Sequence, residues 1–397
     1  MPFFEWEGRT AEGRLVRGML RADSISSLRA SLRRDGLLLL RAKERKEAPS
    51  VRGKIKPMSV VVFTRQLATM ITSGLPLVQS LDILSSQIED RNLSKIVKEI
   101  KEKIEGGSKF ADALRDYPRC FDPLYVNLVV AGEESGTIDT VLARLATYME
   151  KTVKLKRKIK SALIYPVSII VVAIGVVTIL LVFVIPVFDA MFKDMGAELP
   201  APTQLVVNLS KLVRSTIHFI VAALFALSFG MRRYYKTESG RRNIDRTLLK
   251  APLFGVLAIK SSVARITRTL ATLLSSGVSI LESLSIAARV SGNKIVEEAL
   301  LLARSRISEG KSMSEPLAES GIFPPMVVQM VQVGEQTGAL DTMLNKIADF
   351  YEEDVDNLVS NLTAMMEPLI MVFLGLILGG LIIAMYLPIF KLGTAIG

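Results

Sequence analysis

The sequence predicts an all-α membrane protein. Two homologous antiparallel helical bundles lie in the cytoplasm, three transmembrane helices carry them, and a small α+β unit stands at the N-terminus. Three observations predict this. First, the chain repeats itself: Phe63–Leu81 reads FTRQLATMITSGLPLVQSL and Ile266–Leu284 reads ITRTLATLLSSGVSILESL, with 9 identities in 19 positions at an offset of 203. Second, Ser161–Phe188 is a 28-residue run without a charge and Pro368–Phe390 a 23-residue run; about 20 apolar residues cross a bilayer core as a helix. Third, apolar positions outside those runs recur every three or four residues, as in Phe63, Leu67, Met70 and Ile71, then Leu77, Leu81, Leu84 and Ile88, which is the face of a packed helix.

The repeat reaches further. Ala131 opens AGEESGTIDTVL and Val333 opens VGEQTGALDTML, while Pro166, Pro186 and Phe188 match Pro368, Pro388 and Phe390 at an offset of 202. The unit is therefore a polar domain of about a hundred residues followed by a span. Two long units are a duplication rather than a solenoid, which stacks several short ones.

Taken in order, residues 1–47 form a separate unit. Phe3–Glu7 and Leu15–Leu20 suggest strands, Ser24–Arg34 a helix capped by Asp23 or Ser24 with Leu28 and Leu32 on one face, and Leu37–Leu40 a returning strand. Residues 48–57 are a linker, part of the charged stretch from Lys43 that holds Pro49 and Gly53. Residues 58–160 are the first bundle, broken at Gly74 with Pro76, at Gly106-Gly107, and at Pro118 and Pro123. Residues 161–188 are the first span, 189–214 a periplasmic loop and 215–231 a second span. Residues 232–364 are the second bundle, broken at Gly277, Gly292, Gly310 and Pro324-Pro325. Residues 365–390 are the third span and 391–397 a periplasmic tail. Short breaks between such helices predict antiparallel neighbours. No turn signal separates Asp139 from Ser161 or Asp341 from Thr363, so the last helix of each bundle runs on into its span.

Charge orients the spans. Lys151, Lys154, Lys156, Arg157, Lys158 and Lys160 precede the first, and Arg232, Arg233, Lys236, Arg241 and Arg242 follow the second. The positive-inside rule makes both flanks cytoplasmic. The third span's inner flank is acidic (Glu352, Glu353, Asp354, Asp356), so its direction rests on parity. The chain has 397 residues, half of them hydrophobic, a net charge of +11 and a mean hydropathy of +0.37. Because the basic residues cluster beside spans, lipid and topology account for them without nucleic acid. One cysteine, Cys120, and one histidine, His218, allow neither a disulfide framework nor a Cys/His zinc site. Residues 1–30 carry charge throughout and lack the apolar core of a cleavable signal.

Few motifs suggest chemistry. Gly310-Lys311-Ser312 resembles the end of a phosphate loop, but position 305 is serine where that motif has glycine, and a helix leads in; the reading is a helix junction. Gly132-Glu133-Glu134-Ser135-Gly136 with Asp139, and Gly334-Glu335-Gln336-Thr337-Gly338 with Asp341, recur between two helices. They read as tight turns, with glycines at positive φ and an acid meeting the next helix dipole. The alternatives are a partner-contact patch or a carboxylate metal site, the latter weakened by Gln336. Arg65, beside Gln66, recurs as Arg268 on a helix otherwise apolar or small; each is a buried ion pair or a partner contact. Gly74 and Gly277 recur after those helices. Gly375 and Gly379 form a small-xxx-small pair that could pack helices. Pro166, Pro186, Pro368 and Pro388 bracket their spans and shape how the chain enters and leaves the membrane. No nucleophile–base set, cofactor motif or metal set is present, which argues against a membrane-bound signalling enzyme. No charge lies within a span, which argues against a solute transporter.

Together FTRQLATMITSGLPLVQSL, AGEESGTIDTVL, KLKRKIKSALIYP and IPVFDAMFKDMGAELPAPT resemble the type II secretion F family, the inner-membrane platform proteins of type IV pilus and type II secretion machines, over residues 1–395. FTRQLATMI and Lys54-Ile55-Lys56-Pro57 resemble the pilus branch. The resemblance implies a non-enzymatic platform in the bacterial inner membrane, with its N-terminus cytoplasmic and its C-terminus periplasmic. It would couple a cytoplasmic hexameric assembly or retraction ATPase to insertion or removal of pilin or pseudopilin subunits. It further implies a small homo-oligomer that meets the machine's inner-membrane alignment proteins. The platform of a type II secretion system is the alternative. Ser279 in place of Pro76, and Glu367 in place of Tyr165, suggest that the two halves contact different partners.

Overall fold

The computed structural model describes residues 3–10, 15–21, 25–34, 37–45, 55–194, 200–252 and 254–396. The chain divides into two compact units, 1–126 and 127–397.

In the first unit, strands β1 (Phe3–Thr10), β2 (Leu15–Arg21) and β3 (Leu37–Arg45) form an antiparallel sheet in the order β2-β1-β3. The third strand is longer than its apolar run predicts. Lys43, Glu44 and Arg45 pair with Glu5, Phe4 and Phe3, and the register shifts by one residue between Glu7 and Gly8, as at a β-bulge. Helix α1 (Ile25–Arg34) buries Leu28 and Leu32, four apart on one face. The proposed caps Asp23 and Ser24, and linker residues 46–54, lie outside the described residues.

Helices α2 (Pro57–Thr72), α3 (Leu77–Gln87), α4 (Arg91–Glu105), α5 (Phe110–Arg115) and α6 (Pro123–Ser135) follow, with the boundary between units falling inside α6. Sequence signals set their ends. Pro57 opens α2 in the first turn, where its missing N–H is no loss. The Asp90 carboxylate accepts hydrogen bonds from the Asn92 and Leu93 N–H groups at 3.0 and 3.3 Å to cap α4. Phe121 stacks edge-on against Tyr125 with ring centroids 4.8 Å apart, and the Tyr125 hydroxyl lies 3.3 Å from that of Thr64. A buried tyrosine needs such a polar partner.

The second unit holds α7 (Ile138–Ile179), α8 (Ile185–Asp194), α9 (Ala201–Tyr235), α10 (Glu238–Lys250), α11 (Phe254–Ser275), α12 (Ile280–Val290), α13 (Lys294–Ser308), α14 (Ser314–Glu319), α15 (Pro325–Thr337) and α16 (Leu340–Ile396). Helices α11 to α16 enclose a core that includes Ile266, Leu270, Leu284, Leu300, Leu317, Val331, Leu344 and Ile347, all buried. Each such side chain contributes about 1.5–3 kcal/mol by leaving water. The junction at Gly310 lies between α13 and α14, and Lys311 there pairs with Glu315 at 2.8 Å. Ser279 and Pro76 occupy the same N-cap backbone, φ −58° in both, and Ser279 adds a bond from the Glu282 N–H at 3.4 Å. That substitution exchanges one helix cap for another.

Two long helices carry the apolar runs. α7 spans 42 residues and α16 spans 57 without a break, the latter about 85 Å at 1.5 Å per residue. The continuity inferred from missing turn signals is present in both. Among the described residues, Ile138–Met191 and Leu340–Leu387 are long and apolar enough to cross a membrane. Pro166 and Pro368 lie inside α7 and α16. Pro186 follows a π-helical turn, Leu180–Val184, that joins α7 to α8. A proline cannot donate to the carbonyl four residues back, and the wider turn accommodates its ring. Pro388 falls within α16.

Residues 189–194 and 201–214, within the expected loop, are helical. Pro200 caps α9, and Thr203, Val207 and Ser210 form its buried face. The Thr203 hydroxyl donates to the Ala384 carbonyl at 2.6 Å, and Ser210 donates to the Leu181 carbonyl. Leu181, Ile185, Val207 and Leu381 form a cluster that joins α8, α9 and α16. Residues 201–219 and 221–235 of α9 meet at 47°. The Ser215 and Thr216 hydroxyls both bond back to the Leu212 carbonyl just before this bend, a pattern that bends helices. The apolar stretch of α11 is buried by protein and carries Lys260, Arg265 and Arg268, so its hydropathy reflects a bundle core.

Candidate functional site: a charged junction between the two long helices

Where α7 and α16 leave the second unit's helices for their apolar segments, three helices meet through charge. On α16, Asn345, Asp349, Glu352 and Asp356 recur at steps of three and four and so share one face. Arg268 of α11 is 8% exposed and reaches across to that face. Its Nε and Nη2 donate to the two Glu352 oxygens at 2.8 and 3.0 Å, its Nη1 to Asn345 Oδ1 at 2.9 Å, and its Nη2 also to Asp349. Lys151 of α7 lies 2.8 Å from Asp349 and 3.5 Å from Glu352. One turn or two further on, Lys158 pairs with Asp356 at 2.6 Å, and Lys260 of α11 pairs with Asp354 at 2.6 Å. The fork on Glu352 is bidentate, a geometry that lysine cannot reproduce.

This network gives partners to the acidic residues that precede the apolar run of α16. Its carboxylates pair with Lys151 and Lys158 of α7 and with Lys260 and Arg268 of α11. Burial opposes the Arg268 charge, but hydrogen bonds and attraction from Glu352 and Asp349 more than offset it and hold the guanidinium above its ordinary value. Partial burial works against the Asp349 carboxylate too, yet Lys151 and Arg268 hold it below the usual carboxylate range. A depressed carboxylate stabilises the fold above its unfolded pKa of about 4 and loses that contribution as pH falls below it. The stability gap between the native chain and Asp349→Asn, about 0.5–1 kcal/mol at pH 7 because the group is half exposed, will therefore shrink at pH 3; thermal unfolding at the two pH values measures it.

Other contacts tie the first long helix to the second bundle. Arg144 of α7 donates to the Ser275 carbonyl, and the hydroxyls of Thr269 and Tyr148 lie 3.2 Å apart. At the end of α9, buried Asp245 accepts from the Tyr235 hydroxyl at 3.1 Å and from the Lys294 N–H at 2.7 Å, which fixes α9 and α10 to the start of α13. Arg265 donates to the carbonyls of Val290 and Ser291, both at 3.3 Å, and closes the end of α12.

The recurring acidic-glycine motifs differ from the turn reading. Residues 132–135 and 334–337 belong to the last turns of α6 and α15. Only the second glycine of each motif has positive φ: 70° at Gly136 and 69° at Gly338, a conformation costly for residues with a Cβ. The first glycine serves close approach. A Cβ on Gly334 would lie 2.9 Å from Leu340 Cα, and one on Gly132 would lie 3.1 Å from Ile138 Cα. The Glu335 carboxylate accepts from the Met313 N–H and, at 3.2 Å, from the Ser314 N–H, capping α14. Glu133 is half-buried in α6, and Asp139 and Asp341 sit in the first turns of α7 and α16. Arg65 is half-buried and Gln66 exposed on α2, while Gly74 and Gly277 follow α2 and α11 at φ 83°. Among the described residues no three of His, Cys, Asp and Glu come together as a metal set.

Residues 63–186 and 266–388 each match the family described as type II secretion system (T2SS), protein F, and residues 1–43 match that protein's N-terminal domain. The chain belongs to the type II secretion system protein F family. Each match begins in the first long helix of a repeat, at Phe63 in α2 or Ile266 in α11, and ends at or near the proline that closes an apolar run. This F-family chain is 47% identical to the type IV pilus assembly protein PilC of Myxococcus xanthus, over 99% of its own length and 95% of the relative's. It is 44% identical to PilC of Pseudomonas aeruginosa, over 96% of its length and all of the relative's. It is 31% identical to the type II secretion system protein F of Vibrio cholerae, over 99% of both chains.

The sequence singled out Arg268 but not its partners. Asn345, Asp349, Lys151, Arg265 and Asp245 carry no repeat signal: the first repeat has Val62 where the second has Arg265, and Thr147 where it has Asp349. Glu352 does recur, as Glu150 at the offset of 202. The signal present was the acidic stretch Glu352–Asp356 before the last apolar run, opposite in sign to the basic stretches Lys151–Lys160 and Arg232–Arg242.

Proposed function

We propose that the chain is the inner-membrane platform protein of a type IV pilus machine, coupling a cytoplasmic hexameric ATPase to insertion or removal of pilin at the filament base. The observation that carries this is full-length identity: 44–47% to type IV pilus assembly proteins from two genera against 31% to a type II secretion system protein F. The geometry supports a mechanical role. A movement imposed on the bundles passes along α16 and α7 into the membrane without crossing a hinge. The junction of Arg268, Lys151, Asp349 and Glu352 makes the two long helices move together. No step of chemistry is assigned to the platform itself, and the ATPase supplies the energy.

In this reading 161–188, 215–231 and 365–390 are the spans, with the bent α9 as the second. Lys151–Lys160 and Arg232–Arg242 keep the bundles cytoplasmic, and the C-terminus faces the periplasm. Partners are the assembly or retraction ATPase, pilin, the machine's alignment proteins and further copies of the chain in a small oligomer. Exposed Gln66 and Glu134 are open to such contacts, and Arg65 lies half-buried beside Gln66. Deletion of the gene tests the reading, with surface filaments scored by electron microscopy and secreted protein scored in the supernatant. Loss of pili with secretion intact is expected. Normal pili with secretion lost would assign the chain to a type II secretion system.

A further inference from the structure

At the far end of the first span, α8 and α9 enclose a cavity of about 380 Å³ lined by Ile185, Pro186, Val207, Ser210, Asp189, Lys211 and Arg214. Its lining is apolar at Ile185, Pro186 and Val207 and polar or charged at Ser210, Asp189, Lys211 and Arg214. Lys211 Nζ lies 3.3 Å from a carboxylate oxygen of Asp189, while Arg214 is exposed and pairs with no carboxylate among the described residues. Among the described residues the rim therefore holds two cations against one anion. Asp189 is the first charge after the 28-residue apolar run and Arg214 the last before the 17-residue one. That places the rim at the polar boundary of the bilayer, opposite the bundles, a placement that rests on reading both runs as spans.

We propose that this cavity binds the phosphodiester of an anionic glycerophospholipid. Arg214 is the principal donor, Lys211 adds charge, and the glycerol and upper acyl carbons lie on Ile185, Pro186 and Val207. The guanidinium fork suits two phosphate oxygens. A free phosphate would use the cations and leave the apolar walls bare, so the lipid is the occupant that both features match. The lipid would fill the space between α8 and α9 beside the cluster that joins them to α16, and so brace the outer ends of the three spans.

The test reconstitutes the full chain into nanodiscs of equal phosphatidylglycerol and phosphatidylcholine, extracts it gently and counts the retained lipids by mass spectrometry. Phosphatidylglycerol should be enriched, and Arg214→Gln should lower that enrichment about fivefold, the effect of one cation near a membrane surface. Arg214→Lys should keep most of it. Circular dichroism of each variant reports folding, and Arg214 is exposed enough for substitution to leave the fold intact. Equal retention by the native chain and Arg214→Gln would overturn the site. Displacement by millimolar inorganic phosphate as effective as that by short-chain phosphatidylglycerol would overturn the lipid assignment. Neither readout depends on filament assembly, so failure here leaves the platform reading to its own experiment.

Discussion

Arg268→Ala will lower the thermal unfolding midpoint of the detergent-solubilised protein by roughly 5–10 °C, at about 2–4 °C per kcal/mol for a unit of this size. The guanidinium is buried and is the shared donor for Asn345, Asp349 and Glu352. Its removal leaves Glu352, only 23% exposed, with Lys151 alone at 3.5 Å. Breaking a fully buried pair costs about 3–5 kcal/mol. Here Asp349 is 54% exposed and water can replace part of the loss, so about 2–3 kcal/mol is expected. Arg268→Lys should recover less than half of it, because an ammonium cannot grip both Glu352 oxygens while reaching Asn345. Differential scanning calorimetry of the three proteins measures both effects. Indistinguishable midpoints for the native chain and Arg268→Ala would mean that the junction adds nothing to the coupling of α11 and α16.

The second large effect is expected at Gly334, where the close approach involves backbone. A Cβ would meet Leu340 Cα at 2.9 Å and Met343 Cβ at 3.2 Å, and backbone cannot swing aside as a side-chain tip can. Alanine gains about 1 kcal/mol of helix propensity over glycine, while overpacking costs about 1–3 kcal/mol, so Gly334→Ala should be mildly destabilising. Gly334→Val, which gains less and adds two methyl groups, should cost about 3 kcal/mol. Gly132→Val should cost less, its neighbours being 3.1 and 3.2 Å away. Gly338→Ala should cost about 1–2 kcal/mol through its left-handed backbone alone, since nothing lies within 4 Å of its Cβ position. Chemical denaturation of the four variants gives the order. A Gly334→Val protein as stable as the native chain would show that α15 and α16 can separate there without loss.

Much of this architecture was legible because its causes are local. Glycine and proline breaks place the helix ends at Gly74, Gly107, Gly277 and Gly310, and the absence of breakers after Asp139 and Asp341 forecasts two helices that run on into apolar segments. Residues 189–214, expected as a loop between two apolar runs, are helical at 189–194 and 201–214. Thr203, Val207 and Ser210 sit at helical spacing, and the Thr203 and Ser210 hydroxyls satisfy the Ala384 and Leu181 carbonyls, so polar residues line a packed face. The motif glycines were assigned one role where there are two. Positive φ is a property of a turn and can be guessed from sequence, whereas the contact at Gly334 depends on how α16 folds back on α15. The junction was hidden for a related reason: its carboxylates lie some 80 residues from Arg268, and only the fold brings them together.

The measurement that tests the central claim most directly breaks helix continuity below the junction. A Gly-Ser-Gly-Ser insertion after Thr363 leaves the pairs at Arg268, Lys151 and Lys158 in place and leaves Pro368–Phe390 long enough to insert. Chromosomal replacement with this variant, with membrane abundance checked by immunoblot and pili counted by electron microscopy, should give normal protein levels and no surface filaments. Normal piliation from the variant would contradict transmission of force through an unbroken α16.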